Sequence, residues 1–127
     1  MGLFWWLPFG SVPEVSAEVL AAMAGKDGSA KPQILDVRGR GEWGTGHIAG
    51  ALNAPVTQLG SLVAALRLDR TRPIVAVCRS GGRSKVAVRL LHRHGFENAS
   101  ELRGGMQAWQ RAGLPVEVDS AGKHMQS

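Results

Sequence analysis

Strand-length apolar runs that alternate with helix-spaced segments predict an α/β domain: a central, mostly parallel five-stranded sheet with helices on both faces. Two observations carry this expectation. Gln33-Ile34-Leu35-Asp36-Val37 and Ile74-Val75-Ala76-Val77 are short, nearly continuous apolar runs, as strands covered on both faces require. After them the spacing turns helical, with Leu59, Leu62, Val63 and Leu66 at i, i+3, i+4 and i+7.

The elements follow in order. Ser16 is placed to cap a short helix that buries Val19, Leu20 and Met23. Residues 25–31 are polar and glycine-bearing, hence a loop. The strand at 33–37 ends on charged residues. Residues 38–50 hold five glycines with little periodicity and read as a long structured loop. Ala51-Leu52-Asn53 reads as a very short strand, and Thr57 as the cap of a helix reaching Leu66. The strand at 74–77 leads to a helix over 84–94, which Gly95 ends in a left-handed turn. A strand at 99–102 precedes a helix over 105–112, with Met106 and Trp109 as core and Gly113 as the stop. Val116-Glu117-Val118 reads as a last edge strand. The domain is expected over 12–118, between an apolar arm at 1–11 and a loose tail at 119–127.

Composition narrows the function classes. At 127 residues the chain is long enough for one domain with a real core, and 44% hydrophobic content excludes a disordered chain. A single cysteine excludes an internal disulfide and points to a reducing compartment, with the cytoplasm as the default. The formal charge of +5 is compatible with anionic partners, but no Lys/Arg run or nucleic-acid motif accompanies it, so nucleic acid is not expected. The apolar stretch Leu3 to Phe9 is too short to span a bilayer and Pro8 interrupts it. It lacks the basic start and small-residue cleavage site of a signal peptide, and Trp6 stands where a myristoylation motif needs Ser or Thr. The arm is expected to pack on the domain edge; membrane or partner contact through Trp5 and Trp6 is the less favoured reading.

Cys78 is where the chemistry concentrates. It ends the 74–77 strand and is followed by Arg79-Ser80-Gly81-Gly82-Arg83-Ser84 and a helix. Ligands in open parallel sheets bind beyond the carboxyl ends of strands, and both Cys78 and Asp36-Val37-Arg38 lie at such ends. The reactive form of cysteine is the thiolate, which helix N-termini and nearby cations favour. Here the helix start, Arg79 and Arg83 supply both, and neither arginine deprotonates. Gly81 and Gly82 allow positive φ, so that successive N–H groups form an anion nest, and Ser80 and Ser84 add hydroxyl donors. The set suits a thiolate that attacks an anion. A merely structural buried cysteine is the competing reading, and the surrounding Arg, Gly-Gly and Arg weigh against it.

With these residues in view, Cys78 to Ser84 resembles the active-site loop of single-domain rhodaneses, the thiosulfate sulfurtransferases. Leu35-Asp36-Val37-Arg38 with Glu42, Gly46 to Pro55, Gly95-Phe96, and Leu102-Arg103-Gly104-Gly105-Met106-Gln107-Ala108-Trp109 resemble further segments of that family in the same order. The likeness covers about residues 12 to 118. It implies that Cys78 takes the outer sulfur of a donor such as thiosulfate, becomes a persulfide and passes the sulfur to a thiophilic acceptor. No metal or organic cofactor is needed. Residues 79–83 would hold the persulfide through their N–H groups, with Arg79 and Arg83 attracting the anionic donor. Four residues separate Cys78 from Arg83, matching sulfurtransferases; related dual-specificity phosphatases have one more.

The remaining polar residues are read as support. Asp36 and Arg38 brace the loops, Arg38 and Glu42 are placed to pair across the loop turn, and His47 fixes loop packing by hydrogen bonds. Trp43 stands between lining the entrance and packing. Lys85, Arg89 and Arg93 recur every four residues and form one helix face, solvated or docking an acidic protein partner. Two functions compete with an active sulfurtransferase. One is a sulfur carrier or interaction module with little thiosulfate turnover; the other is a regulatory domain without catalysis, which the intact Cys78 loop argues against.

Overall fold

The structure is a computed structural model and describes residues 11–118. The apolar arm expected over 1–11, apart from Ser11, and the tail expected over 119–127 lie outside the described residues. Trp5 and Trp6 are among those outside it.

Five parallel strands form one sheet in the order β1-β5-β4-β2-β3. They are β1 (Glu14–Val15), β2 (Gln33–Asp36), β3 (Leu52–Asn53), β4 (Ile74–Val77) and β5 (Ala99–Leu102). The helices are α1 (Ala17–Ala24), α2 (Arg40–Gly44), α3 (Val56–Leu66), α4 (Gly82–Arg93) and α5 (Gly105–Arg111), with a short 3-10 turn at Gly28–Ala30. The α/β expectation holds. Among the described residues no helix is long and apolar enough to cross a membrane.

Strand alternation divides the core into two layers. Leu35, Val37, Ile74 and Ala76 point toward α3 and α4, where they pack with Leu59, Val63, Val88 and Leu91. Ile34, Val75 and Val77 point the other way, toward Leu20 of α1 and Met106 and Trp109 of α5. Successive residues of a strand face opposite sides, so a strand covered on both faces must be apolar throughout; all four residues of β4 are buried.

Four elements differ from expectation. The fifth strand is β1, not 116–118. Glu14 and Val15 run beside Glu101 and Leu102, whereas the 116–118 segment makes a single antiparallel bridge between Glu117 and His47. Two residues between Pro13 and the helix cap Ser16 carry no periodicity, so β1 has no signal of its own in the sequence. The 38–50 loop contains α2, whose first turn is closed by the Glu42 carboxylate accepting from the Gly39 N–H at 3.1 Å. Ser16 does cap α1, accepting from the Val19 N–H at 3.1 Å. Yet Ala17 and Leu20 form its buried side, and Val19 is 49% exposed. Helix α3 starts at Val56 after Pro55, two residues earlier than a Thr57 cap allows.

The chain leaves β2 toward β3 on one side and leaves β4 toward β5 on the other. The carboxyl ends of these adjacent strands therefore border a switch point, where crossovers diverge and leave a crevice. Asp36 pairs in register with Val77 there, so Val37-Arg38 and Cys78-Arg79 emerge side by side.

Candidate active site

Cys78 lies one residue beyond β4 and is 1% exposed. Residues 79–81 turn the chain sharply from strand into α4. Gly81 takes φ +132°, outside the comfortable range of a residue with a side chain, while Gly82 already opens the helix. Positive φ is thus needed at Gly81 alone, not at both glycines, and α4 begins two residues before Ser84. The turn aims the Gly81 N–H at the sulfur, 2.9 Å away.

Ser84, in the first turn of α4, is fully buried with its hydroxyl oxygen 3.3 Å from Cys78 Sγ. The hydroxyl donates to Glu101 Oε1 at 2.6 Å, which leaves its oxygen as acceptor for the thiol proton. Glu101 is 1% exposed and its other oxygen takes the Lys85 ammonium at 2.6 Å. Sequence reasoning missed Glu101. Its signal was an acid inside the strand Ala99-Ser100-Glu101-Leu102, where a buried charge needs a partner.

The two arginines of the loop divide. Arg83 forks onto Glu42 at 2.6 and 2.8 Å. Its hydrogen bonds, reinforced by the Gly39 N–H and by the charges of Arg83 and Arg38, outweigh partial burial and hold the Glu42 carboxyl down at about 2. The same contact raises the Arg83 guanidinium further above its ordinary range. Arg79 is exposed and has no ion-pair partner among the described residues. With Glu42, Gln107 and Gln110 it lines an open cleft of about 330 Å³.

Arg38 does not pair with Glu42. It turns back onto Asp36, with Nη2 2.8 Å from Oδ2 and Nε 3.0 Å from Oδ1, and donates to the Gly46 carbonyl at 2.7 Å. Both partners are buried, Arg38 at 5% and Asp36 at 1% exposure. The two residues thus staple the α2 loop to the end of β2, and Asn53 adds donations to the Asp36 and Arg38 carbonyls, each at 3.0 Å. His47 stacks on Trp43 with ring centroids 3.5 Å apart and sets Nδ1 3.1 Å from the Trp43 carbonyl. Ser80 is exposed.

Helix α5 closes the far side of the loop. The Met106 N–H donates to the Cys78 carbonyl at 2.8 Å and the Gln107 N–H to the Arg79 carbonyl at 3.0 Å. Gly105 makes this approach possible. A Cβ there would fall 2.7 Å from the Arg79 carbonyl carbon and oxygen and nearer still to the Cys78 carbonyl oxygen. A buried sulfur under a convergent N–H, at a helix start with a free cation at the rim, suits attack by a thiolate on a small anion and retention of a sulfur-borne charge.

Residues 16–112 match the family model described as the Rhodanese-like domain. The chain is 36% identical over 80 residues to "Thiosulfate sulfurtransferase GlpE" of Shewanella oneidensis, covering 63% of this chain and 77% of that protein. It is 34% identical over 92 residues to "Probable adenylyltransferase/sulfurtransferase MoeZ" of Mycobacterium tuberculosis, covering 72% of this chain but only 24% of that longer protein. The crystal structure of the Alr3790 protein from Anabaena sp. superposes with a TM-score of 0.76 at 34% identity, covering 88% of each chain.

Proposed function

The chain belongs to the rhodanese-like domain family, and from that premise we propose that it is a sulfurtransferase working through a Cys78 persulfide. The donor is thiosulfate or a similar small anion, and the acceptor is a thiophile such as cyanide or a thiol. One observation carries the reading: the Gly81 N–H already points at the buried Cys78 Sγ from 2.9 Å.

The chemistry is a double displacement. The Cys78 thiolate attacks the outer sulfur of the donor; a new S–S bond forms as the donor's own S–S bond breaks, and sulfite leaves with the electron pair. The acceptor then attacks the terminal sulfur, and Cys78 departs as thiolate. The persulfide extends about 2 Å beyond Sγ, one S–S bond length. Arg79 recruits the donor from the cleft, while Arg83 serves mainly to hold α2 against the loop through Glu42. A relative named a thiosulfate sulfurtransferase supports the donor class. The lone cysteine suits a reducing, cytoplasmic setting, where a thiolate survives.

A second reading is a carrier domain loaded by a partner enzyme. It is favoured by the relative whose name joins sulfurtransferase to adenylyltransferase and of which this chain spans 24%. Mass spectrometry after thiosulfate treatment tests the shared step: the Cys78 peptide should gain one sulfur, removable by cyanide, and Cys78→Ala should gain none while keeping its fold. Loading at another residue, or none at all, would sink the proposal. Thiosulfate:cyanide turnover then separates enzyme from carrier.

A further inference from the structure

We propose that Glu101 and Lys85 form a positioning pair that acts through Ser84 to set the pH at which Cys78 becomes reactive. The inference rests on Cys78 being the nucleophile but is tested without any sulfur donor. The contacts run in one line: Cys78 Sγ to Ser84 Oγ at 3.3 Å, Ser84 Oγ to Glu101 Oε1 at 2.6 Å, and Glu101 Oε2 to Lys85 Nζ at 2.6 Å. A carboxylate only accepts hydrogen bonds, so it commits the single Ser84 proton to itself. The Ser84 oxygen is left facing the sulfur with a lone pair, 3.3 Å from Sγ. To stabilise the thiolate, Ser84 must turn its proton from Glu101 to Sγ, and Glu101 must then rely on Lys85 alone.

The charges around Cys78 isolate this pair. Asp36 and Arg38 at the end of β2 neutralise each other, as do Glu42 of α2 and Arg83 in the first turn of α4. Arg79 is an exposed cation. Helix α5 faces the loop with Met106 and Gln107, both uncharged, and the rest of the Cys78 surroundings is the apolar cluster with Leu35, Val37 and Ala87. Lys85 and Glu101 therefore balance to zero, and changing either alone leaves one net charge a few bonds from the sulfur.

The two single changes should act in opposite directions. In Glu101→Gln, Lys85 has only donors, so it takes the amide oxygen and turns the amide NH₂ toward Ser84. The Ser84 proton is then freed for its remaining neighbours, Cys78 Sγ at 3.3 Å and the Gly81 carbonyl at 3.2 Å, and the uncompensated Lys85 also favours the thiolate. In Lys85→Met, a buried carboxylate is left unbalanced and disfavours it. The measurement is the rate of Cys78 alkylation by iodoacetamide against pH, with folding followed by circular dichroism. We expect the Glu101→Gln profile to move to lower pH, with about tenfold faster alkylation on its rising limb, and the Lys85→Met profile to move to higher pH. In a Ser84→Ala background the Glu101→Gln shift should shrink. Unmoved profiles in folded variants, shifts of the same sign, or an undiminished shift without the Ser84 hydroxyl would each overturn the assignment. If Glu101→Gln fails to fold, the sign of the Lys85→Met shift decides alone, because Lys85 is 42% exposed and its replacement leaves the core intact. Shifted profiles in a protein that takes no sulfur from thiosulfate would leave this inference standing and remove the proposed donor.

Discussion

Arg79 and Arg83 are both arginines of one loop, yet their surroundings give them different work. Arg83 spends its fork on Glu42, whereas Arg79 stands at the cleft with its charge unspent. Arg79→Ala should therefore raise KM for thiosulfate roughly tenfold, the size of one charge-assisted contact, with a smaller change in kcat. Steady-state kinetics checks this, and an unchanged KM would move donor recruitment elsewhere. Glu42→Gln should lower KM by releasing Arg83. The Glu42 carboxyl also carries a pH signature. Its folded value of about 2 lies below the ordinary 4.5, so the Arg83 pair contributes stability in full above about pH 4.5 and loses it as pH falls toward 2. The pair is more than a third exposed, so the contribution is about 0.5–1 kcal/mol after solvent screening. Melting of the parent and Glu42→Gln proteins should differ at pH 6 and converge near pH 2.

At the scale of elements, the site is a loop gripped from two sides. Helix α2, stapled to β2 by Asp36 and Arg38, holds one side through the Glu42–Arg83 pair, and the first turn of α5 holds the other through the Cys78 and Arg79 carbonyls. Gly105 is the contact point, at φ +58° with no space for a side chain. Gly105→Ala should cost about 2–4 kcal/mol, from left-handed strain plus backbone overlap, and should also slow sulfur loading because the loop must shift. Chemical denaturation with a loading assay reads both. A loss of stability without slower loading would mean that α5 supports the fold but not the loop. The motif Leu102 to Trp109 was visible in the sequence as a segment; its grip on the cysteine loop was not. Hydrogen bonds between backbone groups more than twenty residues apart leave no trace in side-chain spacing. For the same reason the sequence paired Arg38 with Glu42, since nearness along the chain stood in for nearness in space.

Over the whole molecule, the two-layered sheet keeps the cysteine end of β4 fixed. Leu35 lies at the middle of this core with no exposed surface, and Leu35→Ala should cost about 3 kcal/mol as transfer and cavity terms add. Because the site lies at the strand ends and not among those side chains, kinetics of the folded fraction should change little; a large fall in kcat would mean that core packing sets the loop geometry. The sequence by itself determined the α/β class, the strands read at 33–37, 51–53, 74–77 and 99–102, the existence of helices α1, α3, α4 and α5, and the cysteine loop. Each of these is a local matter, written in period, glycine placement or a contiguous motif. Only the tertiary structure decided that Glu14–Val15 supplies the fifth strand, that Arg83 belongs to Glu42, and that Glu101 and Lys85 stand behind Ser84. Those are pairings across the fold, where the partner of a charge or an edge is chosen by strand order and burial, which no single stretch of chain records.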